Sequence, residues 1–247
     1  DKNFHIYLCF GQSNMEGNAR IEPQDKEGVD ERFQVMAAVD CPEMGRVKGQ
    51  WYTAVPALSR CYTGLSPGDC YGVSMVANLP SDVKVGIINV SIGGCRIELF
   101  DKDNYKEHIE TQQDWLKNTV KAYDNNPYGW LIELAKEAQK VGVIKGILLH
   151  QGESNPNEQD WPLKVKGVYD NILADLGLEA KDVPLLAGEV VHSDQGGVCG
   201  AFNEIIATLP EVIPTANVIP SSGCPAAMDH IHFNAEGCRM LAGRYAF

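Results

Sequence analysis

Five short apolar runs, most of them closing on glycine or a polar cluster, constrain this chain more than any other feature. They lie at residues 5–10 (ending at Gly11), 83–90 (followed by Ser91, Ile92 and Gly93-Gly94), 144–149 (followed by His150-Gln151-Gly152), 183–191 and 217–219. Runs this short, bounded by glycine, suit buried parallel strands better than helices. Between them Trp115, Leu116, Val120 and Tyr123 recur at helical spacing. So do Trp130, Leu131, Leu134, Ala135 and Ala138, and again Val165, Val168, Ile172 and Leu176. The tail over residues 235–247, with Met240, Leu241 and Tyr245, reads as a terminal helix. Strands alternating with helices of this length imply βαβ units: an α/β fold with a central parallel sheet and helices on both faces.

The stretch 20–82 breaks the pattern. It is rich in Gly, Pro and Cys and weakly periodic, so it reads as a loop-rich insertion within a single domain over residues 1–247. Eight cysteines are spread along the chain without a CxxC pair, which disfavours a zinc ribbon or a thioredoxin-like site. Disulfides among Cys41, Cys61 and Cys70 would staple the insertion, as expected of a secreted or periplasmic protein whose signal peptide has been removed. Scattered buried thiols are the alternative, and Cys9 and Cys95, beside strands, are expected to be unpaired core residues. No apolar stretch approaches the roughly 18 residues of a membrane span. The formal net charge of −12 disfavours nucleic-acid and anionic-membrane partners, both of which want a basic face, and leaves neutral partners such as sugars open.

In open parallel sheets ligands bind beyond the carboxyl ends of the strands, so what each strand delivers there matters most. The first delivers Gly11-Gln12-Ser13-Asn14-Met15-Glu16-Gly17, a serine on a tight strand-to-helix turn. Such a serine is either an exposed nucleophile or a helix N-cap. The last exit delivers Met228-Asp229-His230-Ile231-His232-Phe233, where an Asp three residues before His232 can turn its carboxylate back onto the ring. His232 is the expected base; His230 lies on the other side or at the surface. His230 and His232 read as a metal pair lack a third ligand at an obvious spacing. The third exit, His150-Gln151-Gly152-Glu153, offers an amide for an oxyanion and a second carboxylate to orient a histidine, while Gly93-Gly94 offers bare backbone N–H groups.

Gly11-Gln12-Ser13-Asn14, the Gly-Gly after the second run, His150-Gln151-Gly152-Glu153 and Asp229-x-x-His232 follow the order seen in the SGNH (GDSL-like) hydrolases. The chain most resembles the branch with the family 6 carbohydrate esterases, which are acetyl xylan esterases, and the sialate O-acetylesterase-like domain. That resemblance implies a flavodoxin-like three-layer α/β/α sandwich and serine-dependent deacetylation with no metal or cofactor. It implies Ser13 as nucleophile, His232 as base, and the Ser13 N–H, the Gly94 N–H and the Gln151 amide as oxyanion donors. Asp229 holds the family's usual acid position, with Glu153 the alternative acid.

The expected activity is therefore that of a serine carbohydrate esterase removing O-acetyl groups through an acyl-enzyme. Acetylated xylan leads as substrate. A sialate O-acetylesterase or other short-acyl esterase is the alternative, and a catalytically silent carbohydrate-binding protein comes last. Arg96, two residues past the glycines, is a candidate for a sugar hydroxyl or a sialate carboxylate. Trp161 is a candidate stacking platform, and His192 stands at a strand end as a possible cleft residue. Asn89-Val90-Ser91 forms a glycosylation sequon at a buried strand end, where it is expected to stay unmodified.

Overall fold

The computed structural model describes residues 1–247, and seven strands form one sheet. They are β1 (Phe4–Gly11), β2 (Phe33–Met36), β3 (Trp51–Thr53), β4 (Lys84–Ser91), β5 (Val143–His150), β6 (Leu185–Gly188) and β7 (Ala216–Ile219). Their order is β3-β2-β4-β1-β5-β6-β7, and every pair is parallel except β2 with β3. The chain leaves β1 toward β2 and β3, returns to β4 on one side of β1, and then crosses to β5 on the other. β1 therefore ends at the point where the winding reverses, which is where open α/β sheets place their ligands.

Side-chain alternation along the strands sorts the core into two layers. Ile6, Leu8 and Phe10 of β1, with Ile88, Val90, Ile147 and Leu149, face a 42-residue cluster that includes the buried sides of helices Pro127–Gln139 and Trp161–Leu176. Tyr7, Cys9, Val85, Ile87 and Leu148 face a 22-residue cluster built with helices Pro67–Asn78 and Ala235–Ala246. The result is the three-layer α/β/α arrangement. The helices begin where local chemistry allows. Asn126 accepts from the Gly129 N–H and Asn234 from the Gly237 N–H, each satisfying a first-turn donor that would otherwise lack a partner. Gly177, left-handed at φ 66°, closes helix Trp161–Leu176.

The stretch 20–82 is more ordered than its composition suggests. It supplies β2, β3 and helix Pro67–Asn78, which packs with helix Ala235–Ala246 on one face of the sheet. Cys41 and Cys61 form a disulfide across it, whereas Cys70 is free. Cys9 and Cys95 are unpaired and fully buried, as expected. The fourth run narrows to the four residues of β6, because Glu189 turns its backbone N–H to Ile219 and its side chain to the Ser221 N–H as the strand ends. The Asn89 side chain is wholly buried and donates to the Met15 carbonyl at 2.8 Å. No helix is long and apolar enough to cross a membrane.

Candidate active site

Register alone brings three of the four motifs together. Gly11, the last residue of β1, pairs with Ser91 at the end of β4 and with His150 at the end of β5. The residues that follow each strand, Gln12, Ile92 and Gln151, thus leave the sheet side by side. Gly11 has no room for a side chain. At φ 152° a Cβ would stand 2.0 Å from the His150 carbonyl oxygen, which also accepts the Gln12 N–H at 3.0 Å.

The turn after β1 is a hub in which successive side chains reach different loops. Gln12 Oε1 accepts from the Gln151 amide (3.0 Å) and from the Gly152 and Ser154 N–H groups (3.3 and 3.1 Å). Ser13 Oγ lies 2.8 Å from His232 Nε2. Asn14 Nδ2 donates to Glu153 Oε1 at 2.9 Å and to the Ile231 carbonyl at 3.1 Å, while its Oδ1 accepts the Phe233 N–H at 3.1 Å. Glu16 Oε2 accepts the Gly93 N–H at 2.7 Å and pairs with Arg60 at 2.6 Å. Polar groups this buried must be partnered, and each partner here pins one loop to the serine turn. The parts played by Gln12, Asn14 and Glu16 escaped the sequence reading. Their only signal was that they flank Ser13.

The histidine loop is held by its own aspartate. Asp229 Oδ1 accepts the N–H groups of Ile231 (2.9 Å) and His232 (3.0 Å), and Oδ2 lies 2.6 Å from His232 Nδ1. One carboxylate thus closes an Asx-type turn with one oxygen and orients the ring with the other. With Nδ1–H donating to Asp229, Nε2 is left to accept the Ser13 hydroxyl proton. Burial pushes the Asp229 carboxyl up, but the His232 N–H, the His232 ring and the Ile231 N–H outweigh it and hold it at about 2. Three groups joined in this order, hydroxyl to imidazole to carboxylate, have the geometry that serine activation requires.

Glu153 lies elsewhere. Its side chain is 4% exposed, with Oε1 on Asn14 and 3.6 Å from His150 Nδ1, and it makes no hydrogen bond to His232. His150 turns its Nε2 to the Glu189 carbonyl at 2.8 Å. The Gln151 amide is engaged within the protein. Nε2 donates to Asn155 Oδ1 (2.7 Å), Gln12 Oε1 (3.0 Å) and the Cys95 carbonyl (3.2 Å), and Oε1 accepts the Trp161 indole N–H at 2.5 Å. No N–H of that amide is left over for a substrate oxygen. The backbone N–H groups of Ser13 and Gly94, by contrast, meet no acceptor in the protein.

Of the residues expected to face a sugar, one is buried and the others are engaged within the protein. Trp161 is fully buried. Arg96 pairs with Glu98 (3.2 Å) and Glu158 and donates to the Ser154 carbonyl at 3.2 Å, inside a network that also holds Lys164 and Asn155. His192 Nδ1 accepts the Asp194 N–H at 3.1 Å and so caps its own loop. His230, in the left-handed region at φ 57°, sets Nδ1 3.1 Å from the Gln195 carbonyl, apart from the Ser13–His232–Asp229 chain.

Known structures share this architecture across nearly the whole chain. A protein of Arabidopsis thaliana superposes with a TM-score of 0.75 at 17% identity, covering 100% of this chain and 97% of that one. NanS gives 0.68 at 13%, covering 100% and 96%. XAC1771, a carbohydrate acetylesterase from Xanthomonas citri, gives 0.67 at 19%, covering 98% of this chain but 54% of its own. At these identities the likeness speaks for the fold, which is that of the SGNH-like hydrolases. The sequence itself matches the model of one family, "carbohydrate esterase, sialic acid-specific acetylesterase", over residues 3–247. The chain belongs to that carbohydrate esterase family.

Proposed function

We propose that this carbohydrate esterase removes O-acetyl groups from acetylated plant polysaccharide, acetyl xylan first, through an acyl-enzyme on Ser13. The observation that carries the reading is the continuous hydrogen-bonded chain Ser13–His232–Asp229, at 2.8 and 2.6 Å. His232 takes the Ser13 proton as Oγ adds to the acetyl carbonyl. The negative charge that develops on the carbonyl oxygen is met by the two unpartnered N–H groups, Ser13 and Gly94. His232 then protonates the departing sugar oxygen, and water repeats the sequence on the acetyl-serine. Asp229 is the acid of the triad. Glu153 acts as a positioning residue: through Asn14 it holds the loop that carries His232. Gln151 supports the strand exits from behind rather than touching substrate.

A neutral sugar is favoured because the two arginines beside the serine turn are already neutralised, Arg96 by Glu98 and Glu158 and Arg60 by Glu16. A sialate carboxylate would need an unpaired cation or a set of donors there. The family description supports acetylated sialic acid as the second substrate. The Cys41–Cys61 disulfide supports an oxidising, extracellular or periplasmic setting.

Acetate release from acetylated xylan by the wild type beside Ser13→Ala tests the proposal. We expect release by the wild type and a loss of roughly 10³-fold or more in the variant. Equal release by both removes Ser13 from the mechanism. Release from acetylated sialic acid but not from xylan replaces the substrate.

A further inference from the structure

The helix Asp114–Val120 turns Leu116 and Val120 into the core, yet the residue beside them, Trp115, is 52% exposed. The other tryptophans are committed within the fold: Trp161 to Gln151, Trp130 to the Ala38 carbonyl at 2.7 Å, and Trp51 against Phe4 with ring centres 4.8 Å apart. The polar edge of Trp115 is satisfied, since its indole N–H donates to Gln113 Oε1 at 3.0 Å. Its apolar six-membered ring abuts Gly94. A Cβ on Gly94 would stand 2.4 Å from Cη2, 3.2 Å from Cζ3 and 3.4 Å from Cζ2. A large rigid apolar surface therefore borders the residue whose free N–H faces the reacting carbonyl in the mechanism above. Gly94 lacks a side chain partly because the indole occupies its place.

We infer that Trp115 is the platform against which the sugar ring bearing the acetyl group packs, and so sets the preference for carbohydrate esters over small ones. The inference rests on the carbohydrate esterase reading. The ring of the alcohol portion lies only an ester oxygen away from the carbonyl carbon. A pyranose presents faces of C–H groups that pack on an aromatic plane, while its hydroxyls stay at the rim. An exposed indole against Gly94 offers such a plane, and nothing in the packing of its helix requires it to be exposed. Along the histidine loop, Met228 is 98% exposed, and Val198, 69% exposed, sets its N–H on the His230 carbonyl.

The test compares kcat/KM on an acetylated xylo-oligosaccharide with that on 4-nitrophenyl acetate, in Trp115→Ala, Trp115→Leu and Trp115→Phe. Leu keeps apolar bulk against Gly94, so it guards against a variant that fails simply by disordering the loop. We expect the ratio of sugar ester to aryl ester to fall about tenfold in the Ala and Leu variants, carried by KM, and to be largely restored in Phe. An equal fall on both esters overturns the inference, because Trp115 would then only shape the Gly94 loop. A wild type that cleaves the aryl ester but releases acetate from no acetylated sugar overturns the carbohydrate reading itself, and this inference with it.

Discussion

At the residue scale the central question is which carboxylate serves His232. Asp229 touches the ring and is held at about 2 by the N–H groups and imidazole it accepts from, so it is ionised at neutral pH. Glu153 reaches only Asn14 and His150. Asp229→Asn should therefore lower kcat by about 10²–10⁴-fold, because the amide can no longer select the Nδ1–H tautomer or stabilise the imidazolium. Glu153→Gln keeps an oxygen for Asn14 and should cost less than about tenfold. Steady-state kinetics on one ester decides it, and the reverse order of the two losses would make Glu153 the acid. Asp229 with His232 was legible in the sequence because a three-residue spacing is local geometry. That Glu153 stands off was not, because its distance from His232 depends on how β5 and the final loop meet in space.

At the scale of elements, the stretch 20–82 is where composition misled. β2 and β3 have four and three residues, too few to display a period, and β3 is a half-buried edge strand. Helix Pro67–Asn78 begins Pro-Gly and carries Gly72, which read as loop signals. Pro67 is in fact at the first helical position, behind the Ser66–Asp69 capping box. Gly72 is there for packing, since a Cβ would fall 2.1 Å from the Phe33 ring. The Cys41–Cys61 bond, with a sequence separation of 20, limits how far the unfolded insertion can spread. Replacing both cysteines with serine should lower the unfolding free energy by about 3 kcal/mol, read from the urea midpoint of oxidised wild type beside the double variant. No change in midpoint would mean that the insertion is held by β2 and β3 alone.

For the molecule as a whole, the most consequential buried charge lies outside the active site. Asp69 is 3% exposed. Burial raises its carboxyl to about 7, against the Ser66 N–H and hydroxyl that pull it down. A carboxyl raised on folding takes up its proton more readily in the folded state. Its neutral form therefore supports stability at low pH, and that support is lost progressively as pH rises from about 4, where the unfolded carboxyl ionises, to about 7, where the folded one does. Unfolding free energy should decline between about pH 4 and pH 7 by a few kcal/mol at most, and Asp69→Asn should flatten that decline, as followed by urea denaturation at the two pH values. An unchanged slope in Asp69→Asn would assign the decline to other groups.

By itself the sequence determined the strand runs, the parallel α/β plan and the four motifs, because each is written in nearest-neighbour chemistry: a period of two or 3.6, a glycine where the chain must turn, an Asp three residues before a His. It also carried the family, since four short motifs in one order span almost the whole length. Tertiary structure decided what each polar side chain does. Gln151, Arg96 and Trp161 have the right chemistry for an oxyanion or a sugar, but each is taken by a partner inside the fold: Gln151 by Asn155 and Trp161 by Gln151 within the folded segment after β5, and Arg96 by Glu158 across from another loop. Trp115 shows the converse. Its periodicity places it in a helix with core residues, and only the position of Gly94 against that helix leaves the indole at the edge of the site.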